Sequence, residues 1–381
     1  MKINDTLNLQ GLRAAPSQVC GAFRLVPLIR EKPCQDVRIT HERYQQDLSR
    51  VQLNDGTEYW SFIPHGYILN WAKGNEATIS FGAQLSKGTK TDRFAGGFTV
   101  TTHQRMVKRQ NANSVRLLPL HLSMEAFLAL YFGGPDIAWL EYSRFAKQHG
   151  LGIRSERAVS GRSLFMFEDA LRTFEIHEGQ VGVLIYTAEK LASAFVVPTP
   201  EDYRALHQTL LDDFYGELIY QYALWSQAQD LNIKLEVAGK KTLAELRQAL
   251  HAARDQWAEF STRVMGLDLL QRNIIGETIY KPAQLRLERF MTELDLNATN
   301  TIGERLVRSD GEVLYLKTFQ LGADQTKRAW WLSQLSRHHW HIGQTAESLN
   351  MTAEEVVRSL NRAGFGYLLN PQILQQALKK R

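Results

Sequence analysis

The chain has few of the features that mark disulfide-rich, membrane-spanning or zinc-binding proteins. Only two of its 381 residues are cysteines, Cys20 and Cys34, which excludes a disulfide framework and a four-cysteine zinc site. No stretch approaches the roughly 20 consecutive apolar residues that span a bilayer. The first residues lack the apolar core of a secretory signal. We therefore expect a cytoplasmic protein with no membrane partner.

Sequence signatures of several common enzyme classes are also missing. There is no Gly-x-Gly-x-x-Gly after a strand, no P-loop, no His-Glu-x-x-His and no Gly-x-Ser-x-Gly. These absences remove the usual Rossmann, P-loop, zinc-protease and α/β-hydrolase assignments. Whether the chain is an enzyme is left open by its sequence.

The composition, with 44% hydrophobic and 22% charged residues, is typical of a globular protein long enough for two or three domains. The net charge is +5, but residues 121–230 contain 8 Lys or Arg against 15 Asp or Glu. An acidic middle repels polyanions, so nucleic acid would have to contact the ends of the chain. Surface charge placed without a function explains the pattern equally well.

The order of the predicted elements indicates an α+β fold: a mainly antiparallel N-terminal sheet packed with helices, plus a C-terminal all-α helix-turn-helix unit. Strands are predicted at 21–30, 58–71, 77–85, 97–109, 114–122 and 311–320, and a buried hairpin at 181–197. Helices are predicted at 123–132, 135–150, 164–174, 198–229 and 241–265. We divide the chain into a core domain (1–235), a helical segment with a strand that completes or extends the core (236–322), and a helix-turn-helix-like tail (323–381).

The clearest local pattern is QTAESLNMTAEEVVRSLNRAGF at residues 344–365. Asn350 stands where a sharp turn requires a left-handed residue. Thr352 is placed to cap the second helix, and Gly364 to end it. The spacing therefore predicts a helix-turn-helix.

DNA binding by this unit is a separate hypothesis. Thr352, Arg358 and Arg362 are the candidate contacts for nucleic acid or a protein partner. Glu354 and Glu355 lie where a recognition helix approaches phosphate, and their charges oppose that approach. A packing or protein-contact module is the favoured use, and DNA binding is the alternative.

A candidate catalytic region is FEIHEGQVGVLIY at residues 174–186. Its candidate residues are Glu175, His177, Glu178 and Gln180. In a strand, Glu175 and His177 point to one face, so the carboxylate could orient the imidazole for base catalysis. The alternative is a polar turn before the buried hairpin, in which His177 bonds a neighbouring backbone group.

The same histidine is a candidate metal ligand. Glu125 and Glu141, on the preceding helices, would join His177 around a divalent cation. The stretch lacks the fixed ligand spacing of a known metal motif, so the cofactor is unknown and a divalent cation is only a candidate.

Two further stretches have both a functional and a structural interpretation. His65, Tyr67 and Trp71 could line an aromatic pocket for a base or a ribose, or they could be core residues. The Phe-Gly-Gly-Pro run at 132–135 could bring backbone N–H groups to a phosphate. Helix termination is the simpler explanation of that run.

Four segments resemble a bacterial family named for its association with ADP-ribosylglycohydrolase and the rhodanese-phosphatase superfamily. They are residues 21–30, 118–144, 174–186 and 191–223. The C-terminal tail is expected to belong to the same family. The resemblance implies processing of ADP-ribose, NAD-derived nucleotides or phosphate esters, in stress or antiviral defence. It transfers no catalytic residues.

Three hypotheses of function follow. The chain acts on or senses an ADP-ribose-like or NAD-derived nucleotide or a phosphate ester. Alternatively it is a non-enzymatic interaction or scaffold protein with a helix-turn-helix docking module, or a ligand-responsive DNA-binding regulator. The expected partners are accordingly a nucleotide-like small molecule, a protein partner or a second copy of the chain, and DNA at the C-terminal tail.

Overall fold

The computed structural model describes residues 2–7, 9, 12–14, 18–20, 23–30, 34–43, 47–60, 67–71, 76–80, 84–87, 98–101, 116–117, 127–135, 137–151, 180–187, 191–196, 199, 201–202, 235–260 and 267–379. Within them, antiparallel strands form three sheets and helices gather in the C-terminal part. The fold is α+β, as the sequence predicts.

Twelve described strands lie in the first third of the chain. They are β1 Lys2–Thr6, β2 Leu12–Ala14, β3 Gln18–Cys20, β4 Phe23–Arg30, β5 Val37–Arg43, β6 Asp47–Leu53, β7 Thr57–Trp60, β8 Tyr67–Trp71, β9 Glu76–Ser80, β10 Gln84–Lys87, β11 Phe98–Thr101 and β12 Arg116–Leu117. Six further described strands follow. They are β13 Gln180–Thr187, β14 Leu191–Val196, β15 Asn273–Tyr280, β16 Arg286–Thr292, β17 Thr301–Val307 and β18 Val313–Gln320.

The described helices lie in the middle of the chain and in its C-terminal part. They are α1 Arg144–His149, α2 Leu243–Phe260, α3 Leu267–Gln271, α4 Ala323–Arg337, α5 Ile342–Ser348, α6 Ala353–Leu360 and α7 Pro371–Lys379, and residues 127–132 are also helical. No helix in the described ranges is long and apolar enough to cross a membrane.

The main sheet has ten strands and combines the two ends of the sequence. Its order is β1-β15-β16-β17-β18-β14-β13-β4-β2, with β3 also paired to β4. The predicted hairpin is confirmed, because β13 and β14 pair antiparallel with Val183 opposite Phe195. Strands from both 1–235 and 236–322 therefore share one sheet.

The other two sheets divide segments that the sequence pattern treats as single strands. Their orders are β10-β7-β6-β5 and β11-β9-β8-β12. The predicted strand 58–71 is β7 in one sheet and β8 in the other, and 77–85 is likewise divided between β9 and β10. Both predictions of a single strand were therefore wrong. The apolar content of a segment does not show where the chain passes from one sheet to another.

Both faces of β16–β18 are covered, and every residue of β17 and β18 is buried. One face carries Leu287, Ile302 and Phe319 and packs on residues of β7, of the helical segment 127–132 and of α4. The opposite face carries Phe290 and Leu316 and packs on apolar residues of the N-terminal segment and of α3. Burial on both sides explains why these strands do not show a simple alternation.

The predicted helix at 135–150 is mostly absent, because only Arg144–His149 is helical. Tyr142 forms an antiparallel bridge with Leu369, and the Ser143 N–H donates to the Leu368 carbonyl at 2.7 Å. The Ser143 hydroxyl then caps α1 by accepting from Ala146 N–H. Pairing with a distant segment occupies backbone groups that a longer helix would have used.

The C-terminal helix, turn and helix lie where the sequence places them. Asn350 has a φ of 53° in the turn between α5 and α6, and Gly364 has a φ of 84° beyond the end of α6. The Thr352 hydroxyl accepts from Glu355 N–H, and the Glu355 carboxylate accepts from Thr352 N–H at 2.8 Å. This reciprocal pair is a capping box.

Candidate functional site

A cleft of about 160 Å³ lies between the main sheet and α4. We call it the α4 cleft. Phe132, Met291 and Leu294 supply apolar walls, and Glu277, Ser336 and Arg337 supply polar groups. Ligand sites are usually concave and mostly apolar, with a few convergent polar groups, and this cleft has such a lining although it is smaller than a typical drug-sized pocket.

The α4 side of the cleft is formed by the last two turns of that helix. Ser333, Ser336 and Arg337 are spaced at i, i+3 and i+4, so they share one helix face. The Ser333 hydroxyl already donates to the Trp330 carbonyl at 2.8 Å. Within the described ranges, no hydrogen bond or ion pair engages the Arg337 side chain, so it is available to an anion.

The sheet side of the cleft is formed by β15 and β16. Glu277, which is 51% exposed, lies opposite the buried Arg289, with Arg289 Nη1 3.8 Å from its Oε1. The Tyr131 hydroxyl donates to the Ile275 carbonyl at 2.7 Å. Burial and the nearby Glu277 raise the pKa of Tyr131, so its hydroxyl stays protonated.

A series of cross-strand neighbours leads from Glu277 into the core. Arg289 faces Glu304, and Glu304 faces Lys317, so four charged residues of alternating sign lie side by side on β15–β18. We call Glu277, Arg289, Glu304 and Lys317 the charged row. Arg289 Nε lies 3.7 Å from Glu304 Oε1, and the Tyr59 hydroxyl of β7 donates to Glu304 Oε2 at 2.6 Å. The charged row thus connects the cleft with the second sheet.

Burial determines the protonation behaviour of the inner half of the charged row. It raises the pKa of Glu304, although Arg289 and the Tyr59 hydroxyl act in the opposite direction. It lowers the pKa of Lys317 to about 7, opposed by Glu304. Glu304 Oε1 and Arg289 Nε have no hydrogen-bond partner among the described residues. The ion pair is therefore close but incompletely hydrogen-bonded.

The reverse face of the same two strands carries a second ion cluster. Arg305 Nε donates to Glu288 Oε2 at 2.8 Å, and Arg305 Nη2 lies 3.2 Å from Asp5 Oδ2. Two Glu-Arg dipeptides, in LERF and GERL, thus pair antiparallel and place one Glu–Arg pair on each face. This repeated dipeptide was the sequence signal for β16 and β17, which the sequence analysis missed because charged residues interrupt the apolar run.

The lowered pKa of Lys317 predicts a pH dependence of stability. The side chain loses its proton near pH 7 in the folded chain but near 10.5 when unfolded, so unfolding takes up a proton between these values. The free energy of unfolding should therefore rise from about pH 7 to about pH 9.5, relative to Lys317→Met, by an amount on the order of a few kcal/mol. Urea unfolding of both chains at the two pH values measures this difference. A constant difference would contradict the prediction.

Five residues of the three predicted sites fall outside the part of the chain that the structure describes. Glu175, His177, Glu178, His65 and Glu125 all lie outside the described residues. The catalytic, metal and aromatic-pocket assignments that depend on them stay predictions.

The remaining members of those sites occupy strand or turn positions. Gln180 is the first residue of β13, while Tyr67 and Trp71 are the two ends of β8. Glu141 was predicted on a helix but lies in a turn before α1, where its carbonyl accepts from Asn370 N–H at 2.7 Å. In the described ranges, no group of three or more His, Cys, Asp or Glu residues is arranged to hold a metal ion.

The candidate contacts of the C-terminal unit are partly used within it. Arg358 Nη1 donates to the Ala377 carbonyl of α7 at 3.2 Å, and Arg362 Nη2 lies 3.2 Å from Ser359 Oγ. Hydrogen bonds from Thr352 lower the pKa of Glu355, which keeps a negative charge at the start of α6. This charge would face the phosphates if α6 entered a DNA groove.

Together these features define an α+β protein with a mostly apolar cleft between its main sheet and α4. Glu277 and Arg337 are the charged groups of that cleft. The family model ARPP-2 matches residues 7–283, so the chain belongs to the ARPP-2 family. Comparison with curated proteins and with solved structures finds no match. Glu277 and the rest of β15 fall within the matched range, whereas β16 and α4–α7 lie beyond it.

Proposed function

We propose that the protein is a sensor that binds an ADP-ribose-like or NAD-derived nucleotide, or a related phosphate ester, in the α4 cleft. The observation that carries this proposal is that one wall of the cleft is the main sheet and the other is α4, the first C-terminal helix. A bound molecule would contact both and fix α4 against the sheet. The resemblance to proteins associated with ADP-ribosylglycohydrolase supports a nucleotide-derived ligand.

The size and lining of the α4 cleft limit what enters it. Its volume of about 160 Å³ is close to the ~150 Å³ cavity that accommodates a benzene ring. One ring of a nucleotide would therefore fit, with the rest extending towards solvent. Phe132 and Met291 offer apolar contact to that ring, and the Arg337 guanidinium offers hydrogen bonds to a phosphate.

The corner after α4 provides a route from the cleft to α5. His339 and Trp340 both have left-handed backbone angles, with φ of 49° and 63°. Trp139 Nε1 donates to the His339 carbonyl at 3.2 Å, and His341 Nδ1 accepts from Gln344 N–H to cap α5. A ligand that fixes the end of α4 would also stabilise this corner and the start of α5.

Ligand binding should depend on Arg337. ADP-ribose, NAD, AMP or inorganic phosphate, in a thermal-shift screen, should raise the melting temperature of the full chain by mass action. Arg337→Ala should weaken the affinity for an active compound roughly tenfold to hundredfold, since a charge-assisted hydrogen bond is lost. Arg362→Ala, which removes an exposed arginine just beyond the end of α6, is the matched control and should bind as the wild type does.

Two results would count against the sensor. A screen in which no compound stabilises the chain favours the interaction or scaffold alternative. Binding that Arg337→Ala leaves unchanged would place the ligand elsewhere. Amide exchange should in addition slow in α5 and α6 on binding if the C-terminal helices respond to the ligand.

The docking alternative has two observations in its favour. Arg358 bonds within the C-terminal unit and Glu355 stays charged, which suits a protein partner better than DNA. A DNA-binding regulator would show an affinity that falls steeply with added salt.

A further inference from the structure

We infer that Glu277 determines the ligand specificity of the α4 cleft by accepting hydrogen bonds from two adjacent hydroxyls of a sugar ring. The ligand class is then an anionic sugar with a vicinal diol, whose phosphate binds Arg337. This inference rests on the proposed function, because it names the group that the cleft recognises.

Glu277 is the one carboxylate among the described residues that line the cleft. It lies on β15, a strand hydrogen-bonded on both sides, with Lys2 of β1 and Arg289 of β16 as its cross-strand neighbours. A carboxylate on an inner strand is held in place more firmly than one on a loop. At 51% exposure, it is still open to a ligand.

Arg289 gives this carboxylate a fixed inner partner. The guanidinium is buried, with Glu277 Oε1 3.8 Å from Nη1 and Glu304 Oε1 3.7 Å from Nε. One oxygen of Glu277 is drawn towards Arg289. The lone pairs facing the cleft remain available, and an ionised carboxylate only accepts hydrogen bonds.

The sheet side and the α4 side of the cleft differ in hydrogen-bonding chemistry, and this difference determines which part of the ligand each side binds. Arg337 and the neighbouring Ser336 donate from α4, so they suit phosphate oxygens. Glu277 accepts from the sheet side, so it suits hydroxyls, as acidic residues do when they bind a ribose. A sugar with a second phosphate on one of the two diol oxygens would place that phosphate next to the Glu277 carboxylate. The two groups carry like charges, so such a sugar would be repelled.

Isothermal titration with ribose 5-phosphate and 2-deoxyribose 5-phosphate tests the inference on the full chain. The wild type should bind the ribose compound roughly tenfold or more tightly, because the deoxy compound loses a charge-assisted hydrogen bond. Glu277→Gln and Glu277→Ala should bind the two sugars with affinities within about threefold of each other. Their affinity for the deoxy compound should fall less than their affinity for ribose 5-phosphate, because the deoxy compound has only one hydroxyl contact with Glu277 to lose. Circular dichroism spectra that match the wild type show that the variants are folded.

The outcomes separate the inference from the function on which it rests. Equal affinity of the wild type for both sugars would overturn the role of Glu277 and leave nucleotide sensing in place. Discrimination that persists in Glu277→Ala would also overturn it. Failure of both sugars to bind, together with no stabilisation by ADP-ribose or NAD, would overturn the inference and the sensor alike.

Discussion

Replacing Glu304 by leucine is expected to lower the free energy of unfolding by about 3–5 kcal/mol. Glu304 is completely buried between Arg289 and Lys317, and it accepts the Tyr59 hydroxyl at 2.6 Å. Without it, Arg289 remains buried next to a hydrocarbon, and the Tyr59 hydroxyl loses its acceptor. Urea unfolding followed by circular dichroism measures the change.

A paired substitution distinguishes charge from packing as the cause. In the double variant Glu304→Leu with Arg289→Leu, the buried positive charge that the single variant leaves without its partner is removed together with the negative one. Part of the lost stability should return, because replacing both members of a buried pair is tolerated better than breaking it. If the double variant lost the sum of both single effects, the two residues would contribute to the free energy of unfolding independently. The interaction between them would then add nothing to stability.

Gly134→Ala is expected to destabilise the protein by about 3 kcal/mol, since it forces two backbone segments apart. An alanine Cβ at 134 would lie 2.2 Å from the Gly150 Cα and 2.8 Å from the Leu151 nitrogen. Rotation of a side chain cannot relieve a contact with backbone atoms. Urea unfolding again measures the loss, and a change below about 1 kcal/mol would contradict the predicted contact.

The neighbouring glycine is a matched control. Gly133 has a φ of 66°, and nothing lies within 4 Å of the position that a Cβ would occupy. Gly133→Ala should therefore cost only the roughly 1–2 kcal/mol of a left-handed alanine. The comparison shows why the Phe-Gly-Gly-Pro run has two glycines: the first ends a helix, and the second allows close backbone contact. Neither role requires a phosphate.

Local patterns in the sequence predicted local structure well. The capping box at Thr352, the left-handed Asn350 and the hairpin β13–β14 each depend on a few neighbouring residues. The helix α2 within 241–265 and the strand β18 within 311–320 are confirmed for the same reason. Steric and hydrogen-bonding preferences act over one or two turns, and a sequence displays them directly.

Predictions failed where distant segments compete for the same backbone groups. Residues 137–143 have helical spacing, yet Tyr142 and Ser143 bond to the segment around Leu368. The strands β15–β17 were missed because their charged residues pair across strands in a register that the sequence does not reveal. Tertiary contacts overrode the local preference in both cases.

The sequence by itself determined the α+β class and the helices and turn at the C-terminus, because these follow from composition and short-range pattern. Only the tertiary structure decided where a ligand site lies. Glu277 and Arg337 are far apart in the chain and belong to no motif, yet β15 and α4 bring both to the α4 cleft. Their proximity depends on how the strands pair and how α4 packs across the sheet. No spacing in a linear sequence encodes these contacts.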